Sequence, residues 1–172
     1  MSEPVQPATA PSVSAPTATA AAMIAAAREC LDTPFHHLGR QPGVAMDCVG
    51  LVLVALAAAG LHPVGPRTYS RHPDGRTLFR LMRGALGAEV EPGGAVEDTP
   101  GAVLGFAMRG QPCHVGVRTD WGLIHALAPR GRGDFLTKVQ ELNFDERWRK
   151  RCVAVWLVPG VGADVSGDGN RG

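Results

Sequence analysis

Hydrophobic and polar positions divide this chain into a helical first part and a strand-rich second part. The clearest signal is Val49 to Gly60, a Leu- and Ala-rich run with no charged or amide-bearing residue, which predicts a buried helix capped by Asp47 and stopped at Gly60. Before it, Met23, Ile24, Ala27 and Leu31 recur at helical spacing, predicting a short amphipathic helix over 20–31 that ends at Asp32-Thr33-Pro34. Phe35 to Met46, with Gly39, Pro42 and Gly43, reads as a loop that delivers the chain to Cys48. Leu61 to Gly75 is proline-punctuated and reads as a surface excursion. Arg76 to Leu86 then places Leu78, Phe79, Leu81, Met82 and Leu86 on one helical face.

After the glycine- and acid-rich 89–101 stretch the texture becomes short apolar segments separated by turn residues, the pattern of a sheet. Strands are expected near 102–108, 113–119, 122–127, 136–142 and 152–158, with a helical turn over 145–151. Helices followed by neighbouring strands argue for an α+β domain. Residues 1–18 are almost entirely Ala, Pro, Ser, Thr and Val and read as a disordered tail; 19–160 reads as the domain, and the glycine-rich 161–172 as a flexible tail.

Composition narrows the function classes. Lys plus Arg number 17 against 16 Asp plus Glu, which gives no general electrostatic case for nucleic acid or an anionic membrane surface. The apolar run 49–60 is shorter than the about 20 residues that cross a bilayer. Glu3, the lack of an early Lys or Arg, and Pro4, Pro7, Pro11 and Pro16 do not read as a signal peptide, so the chain is expected to be made in the cytoplasm without one. Cys30, Cys48, Cys113 and Cys152 are scattered, without zinc-site spacing or the density of a disulfide scaffold, and are read as reduced thiols.

Candidate chemistry centres on Cys48. At the start of a helix, free N–H groups and the helix dipole favour thiolate, so a lowered pKa is expected. A cysteine nucleophile also needs a base, and imidazole suits both proton transfers. His114 opens one predicted strand and His125 lies in the next. With a tight turn at Asp120-Trp121-Gly122, antiparallel pairing is expected to set the two nearly opposite, within reach of a ring-to-ring hydrogen bond. The logic is that of a triad: Cys48 attacks, His114 moves the proton and His125 holds the His114 tautomer. Cys113-His114 and His36-His37 are not read as a zinc site, because adjacent strand residues point to opposite faces. Arg147, Arg149, Lys150 and Arg151 are read as a solvated helix face, and Trp148 as packing.

Asp47-Cys48-Val49-Gly50-Leu51, His114-Val115-Gly116-Val117 and Ile124-His125-Ala126, in that order, resemble the motifs of the NlpC/P60 cysteine peptidases. Thr33 to Arg40, and Val139 to Gly160 with Leu142, Trp148-Arg149 and Pro159-Gly160, resemble the branch carried on phage tails and gene-transfer particles. The resemblance spans roughly residues 22–160. It implies a papain-like α+β fold with the nucleophile helix on an antiparallel sheet of about five strands. It also implies hydrolysis of an amide bond in the peptidoglycan stem peptide through an acyl-enzyme on Cys48, with no metal or cofactor. Phage-tail or gene-transfer-particle proteins are the implied partners, and the periplasm or cell wall the implied place of action. The backbone N–H of Cys48 is the expected oxyanion donor, with Phe35, His36 and Asp47 around the cleft.

Two departures stand out. Phe35 occupies a position where the family commonly has Tyr, whose hydroxyl lies near the nucleophile, a contact that His36 or His37 is a candidate to replace. Gly101-Ala102 replaces a common Gly-Asp. Two other readings accompany the peptidase: a tail-tip structural or adaptor component with residual or no hydrolysis, and an antibacterial amidase effector moved by a contact-dependent secretion machine.

Overall fold

The computed structural model describes residues 17–63, 65, 68–69, 75–128 and 137–161. Its elements are α1 (Ala18–Glu29), β1 (Arg40–Gln41), β2 (Ala45–Met46), α2 (Cys48–Ala58), α3 (Gly75–Leu86), β3 (Val103–Met108), β4 (Gln111–Arg118), β5 (Gly122–Ala126), β6 (Val139–Asn143), α4 (Glu146–Arg149) and β7 (Cys152–Trp156). The fold is α+β. A five-stranded antiparallel sheet, ordered β6-β5-β4-β3-β7, is accompanied by a separate two-stranded ladder, β1-β2. That small ladder lies inside the 35–46 segment expected to be loop; two paired residues per strand are too few to leave an alternating pattern.

Thr17 caps α1, its hydroxyl accepting from Ala20 N–H at 3.2 Å while donating to the Gly160 carbonyl at 2.7 Å, so the two ends of the domain are tied together. Thr17 and Ala18, assigned to the tail from the sequence, therefore belong to the helix, and Val161 is buried; the rest of both tails lies outside the described residues. The same is true of residue 136, expected to begin a strand, and of most of the 61–75 excursion.

Strand alternation gives the sheet two buried faces. On one, Val103, Val115, Val117, Ile124, Ala126, Ala154 and Trp156 meet α1, α2 and α3 in the main core. On the other, Ala102, Leu104, Phe106, Leu123 and Val155 pack with Phe144 and Trp148 in a smaller core under α4. Gly105 faces the helices because Phe79 of α3 fills the space: an added Cβ would lie 2.7 Å from its Cζ.

The apolar run forms α2 with Val49, Leu51, Val52, Ala55 and Leu56 buried and Leu53 and Val54 half-buried, while Ala57 and Ala58 near its end are exposed. Its first turn is pressed against the preceding loop. Asp47 N–H donates to the Gly39 carbonyl at 3.1 Å, and a Cβ on Gly50 would come within 2.1 Å of that same oxygen. The glycine is thus required by close approach of backbone to backbone. Gly50→Ala is expected to force the loop off the helix and cost about 1–3 kcal/mol of stability, read in urea as a lower midpoint at unchanged slope. A midpoint equal to wild type contradicts that packing.

Candidate active site

Asp47 caps α2 as its sequence position predicts, and it does more than cap. Only 2% exposed, its carboxylate accepts from Gly50 N–H at 2.8 Å through Oδ1. Through Oδ2 it accepts from Leu38 N–H at 2.7 Å and from the Tyr69 hydroxyl. The helix start is thereby fastened to both flanking loops. Tyr69 is fastened in turn by His37, whose Nε2 lies 2.9 Å from the Tyr69 carbonyl and whose ring meets the phenol edge-on at 5.1 Å. His36 is exposed and bonds the carbonyl of His37 at 2.9 Å, while Phe35 is half-buried against the main core.

Cys48 is the first residue of α2 and is partly exposed. Its sulfur meets the backbone N–H groups of Val49 and Val115. The second contact follows from the sheet. Along β4, Arg118 N–H donates to Ala102 beside β3 and Thr119 N–H to Gly122 on the β5 side, so odd-numbered N–H groups face β5. β4 and β5 pair only at Val117↔Ile124 and Arg118↔Leu123. Beyond that point the strands part, and the Val115 donor turned toward the gap finds the cysteine.

The turn end of the same strand pair is held shut by two arginines. Buried Arg118 donates to the carbonyls of Thr119 and Gly122 at 2.6 and 2.7 Å and pairs with Asp98 at 3.0 Å. Arg28 of α1 bridges Asp120 and Glu141 at 2.6 and 2.8 Å. The two strands are thus clamped at the end where they pair.

His114 and His125 lie on the sheet face away from α2. His114 Nε2 is 3.0 Å from His125 Nδ1, and both rings are buried. The expected ring-to-ring bond is present, but the residues are not opposite one another. The register brings His125 level with Gly116, so the histidines meet diagonally, across a position without a side chain. A Cβ at Gly116 would lie 2.8 Å from the Ile124 oxygen and 3.3 Å from the His125 Cβ. Trp148 lies against both rings, at 6.2 Å from His114 and 4.8 Å from His125, with Phe106 at 5.9 Å from His114. Beyond His125, the Gln140 side-chain nitrogen is 3.4 Å from Nε2, on the β6 residue paired with it. An amide can present oxygen or nitrogen there by rotating, so Gln140 can satisfy either His125 tautomer.

The charge states differ from the sequence expectation. The Val49 and Val115 N–H groups do favour the Cys48 thiolate, but desolvation of the sulfur, which lies inward of the partly exposed residue, and after it the Asp47 carboxylate, outweigh them and push the thiol up to about 12. The expected low-pKa thiolate is therefore not the resting form. Cys30 and Cys152, also buried, are pushed up to about 11 and about 12. Burial first, and the neighbouring His125 second, hold His114 well below the ordinary histidine range. The resting state is thus thiol and neutral imidazole, and no hydrogen bond joins Cys48 to His114. All four cysteines are free. Among the described residues no group of three or more His, Cys, Asp and Glu is arranged to hold a metal ion, and no helix is long and apolar enough to cross a membrane.

Of the site residues named from the sequence, the structure sets Asp47 and Cys48 at the helix start and joins His114 to His125. Phe35 and His36 stand on the adjoining loop. Sequence reasoning missed Tyr69 and Gln140, which carry no local motif, and the contact of Trp148 with both rings. The basic cluster is largely paired: Arg149 with Glu97 and Asp98 at 2.6 Å each, Arg147 with Asp145 at 2.9 Å, and Lys150 with Glu146 at 3.7 Å.

No family model matches the sequence, and no curated protein matches it. Solved structures do. The NlpC/p60 domain of the peptidoglycan hydrolase SagA superposes with a TM-score of 0.52 at 21% identity, over 80% of this chain and 97% of that one. This chain has the NlpC/P60 fold. A lipoprotein-like protein of the NLP/P60 family from Staphylococcus aureus subsp. aureus Mu50 gives a TM-score of 0.53 at 17% identity, over 81% of this chain and 41% of that one. The NlpC/P60 fold expected from the motifs and the α+β fold expected from element order are thus one and the same.

A lowered His114 pKa has a signed consequence. The unfolded chain takes up a proton near pH 6.5 that the folded chain refuses, so stability is full above that value and falls as pH drops below it. In an imidazole NMR titration, His114 is expected to remain neutral at pH 6 in the wild type. In Gly116→Ala, the crowded ring pair separates and the His125 contribution to the shift is lost. A wild-type His114 that titrates at 6.5 contradicts this environment.

Proposed function

We propose that this protein is a cysteine peptidase that hydrolyses amide bonds in peptidoglycan stem peptides through an acyl-enzyme on Cys48. The observation that carries the reading is the imidazole pair behind the parted strands. His114 Nε2 is engaged by His125 Nδ1 at 3.0 Å, which leaves His114 Nδ1 to receive a proton. The fold it shares with the peptidoglycan hydrolase SagA domain, and the motif order around Cys48, His114 and His125, support the choice of substrate class.

Because thiol and imidazole are both neutral at rest, proton transfer accompanies attack. The Cys48 sulfur bonds the carbonyl carbon as its proton passes to His114 Nδ1. The resulting imidazolium donates from Nε2 to His125 Nδ1, and Gln140 satisfies the far side of His125. The oxyanion accepts from the Cys48 backbone N–H at the helix start. The tetrahedral species then expels the amine, which takes the proton from His114. Water, deprotonated by the same ring, hydrolyses the thioester and regenerates the thiol.

The phage-like character of Thr33 to Arg40 and Val139 to Gly160 favours a tail- or gene-transfer-particle-borne enzyme acting in the periplasm or cell wall. One observation favours a second reading, a tail-tip structural component with residual or no hydrolysis: the neutral thiol and imidazole are not bonded to each other.

Mass spectrometry of purified sacculi digested with wild type and Cys48→Ala separates the two. The peptidase reading expects stem-peptide fragments from wild type alone, with His114→Ala reducing their rate by at least about 100-fold. No fragments from wild type, together with unchanged infectivity of particles carrying Cys48→Ala, sinks it.

A further inference from the structure

The expected replacements for the hydroxyl missing at Phe35 were His36 and His37, yet each spends a ring nitrogen on a backbone carbonyl, His36 Nδ1 on that of His37 and His37 Nε2 on that of Tyr69. A hydroxyl comes instead from the chain that follows α2, and it reaches the residue before Cys48. Tyr69 is the chain's one tyrosine and is packed against the main core; it reaches back to bond the Asp47 carboxylate, immediately before Cys48. We propose that Tyr69 is a positioning residue for the Cys48 nucleophile: by donating to Asp47 Oδ2 it disperses the buried negative charge that opposes thiolate formation.

The geometry supports an action through Asp47. A buried carboxylate adjoining a thiol disfavours the thiolate by like-charge repulsion, and each donor it accepts spreads that charge. Two of its three donors, Leu38 N–H and Gly50 N–H, are backbone groups fixed by the loop and the helix, whereas Tyr69 supplies the third through a side chain. The groups facing this centre are few enough to attribute an effect. Asp47 and Cys113 bear on Cys48; Asp47, Cys48, Arg40 and the ring of His37 bear on Tyr69. In the catalytic cycle Tyr69 touches no reacting atom and sets only how readily the thiol gives up its proton. That consequence rests on Cys48 being the nucleophile; the effect on the thiol itself does not.

The test is the pH dependence of Cys48 alkylation by iodoacetamide, with the modified cysteine located by peptide mapping and the intact fold checked by thermal melting. Tyr69→Phe should slow Cys48 alkylation about threefold at each pH between 7 and 9, the change that half a pKa unit makes. In an Asp47→Asn background, which keeps a cap but removes the charge, the same substitution should have no effect. Because Tyr69 is the chain's one tyrosine, global incorporation of 3,5-difluorotyrosine alters it alone. The more acidic phenol should accelerate alkylation, opposite in sign to Tyr69→Phe, and this arm stands even if the phenylalanine variant melts early. An unchanged rate in Tyr69→Phe, an equal effect in both backgrounds, or the same sign from both tyrosine changes overturns the proposal. Alkylation reports the thiol whether or not the protein cleaves peptidoglycan, so failure here and failure of the peptidase reading remain distinct.

Discussion

One buried carboxylate organises the start of α2 and the loops around it. Asp47 ends the loop that begins at Phe35, starts the apolar helix, and accepts from a loop amide, a helix amide and a tyrosine hydroxyl at once. An ionised group so deeply buried is tolerable only when its lone pairs are met, and meeting them forces two loops to converge on the first turn of α2. Cys48 is the next residue. Its position at the parting of β4 and β5 therefore follows from where Asp47 is fastened; Gly50 lets the helix approach the loop, and Gly39 lets the loop close on Ala45 and Met46.

In the proposed reaction the same carboxylate opposes formation of the thiolate. It and burial raise the thiol, while burial and His125 lower the His114 base, so both partners rest uncharged. In the reaction we propose, a preformed thiolate-imidazolium pair is thus replaced by a pair that must exchange a proton as the carbonyl arrives. Under that proposal the diagonal His114–His125 contact matters more, because a transient imidazolium must be met by an acceptor already aligned. Trp148 and Phe106 hold the two rings from the sheet's far side, away from the helix that carries the cysteine.

Much of this was legible in the sequence. Three helices and five strands announce themselves through period, capping and turn residues, and Asp47-Cys48 at a helix start with two histidines on neighbouring strands marks the candidate site. The quantities that depend on three-dimensional surroundings were not. A helix start argues for a low thiol pKa, but the opposing burial and the Asp47 charge come from packing. A tight turn argues for His114 opposite His125, but the observed register instead sets Gly116 there. Tyr69 lies in a proline-rich segment with no motif and meets Asp47 only after α2 turns the chain back, and Gln140 becomes relevant only because β6 pairs with β5 at His125.

The central claim is that Cys48, reached through the parted strands and served by His114, carries the acyl group. Intact-protein mass spectrometry of the enzyme quenched in acid during turnover of a stem-peptide substrate tests it most directly. The account predicts an added mass equal to the acyl fragment, mapped to Cys48, present in wild type and strongly reduced in His114→Ala. Product released with no adduct on Cys48, or an adduct on Cys113 in its place, contradicts it.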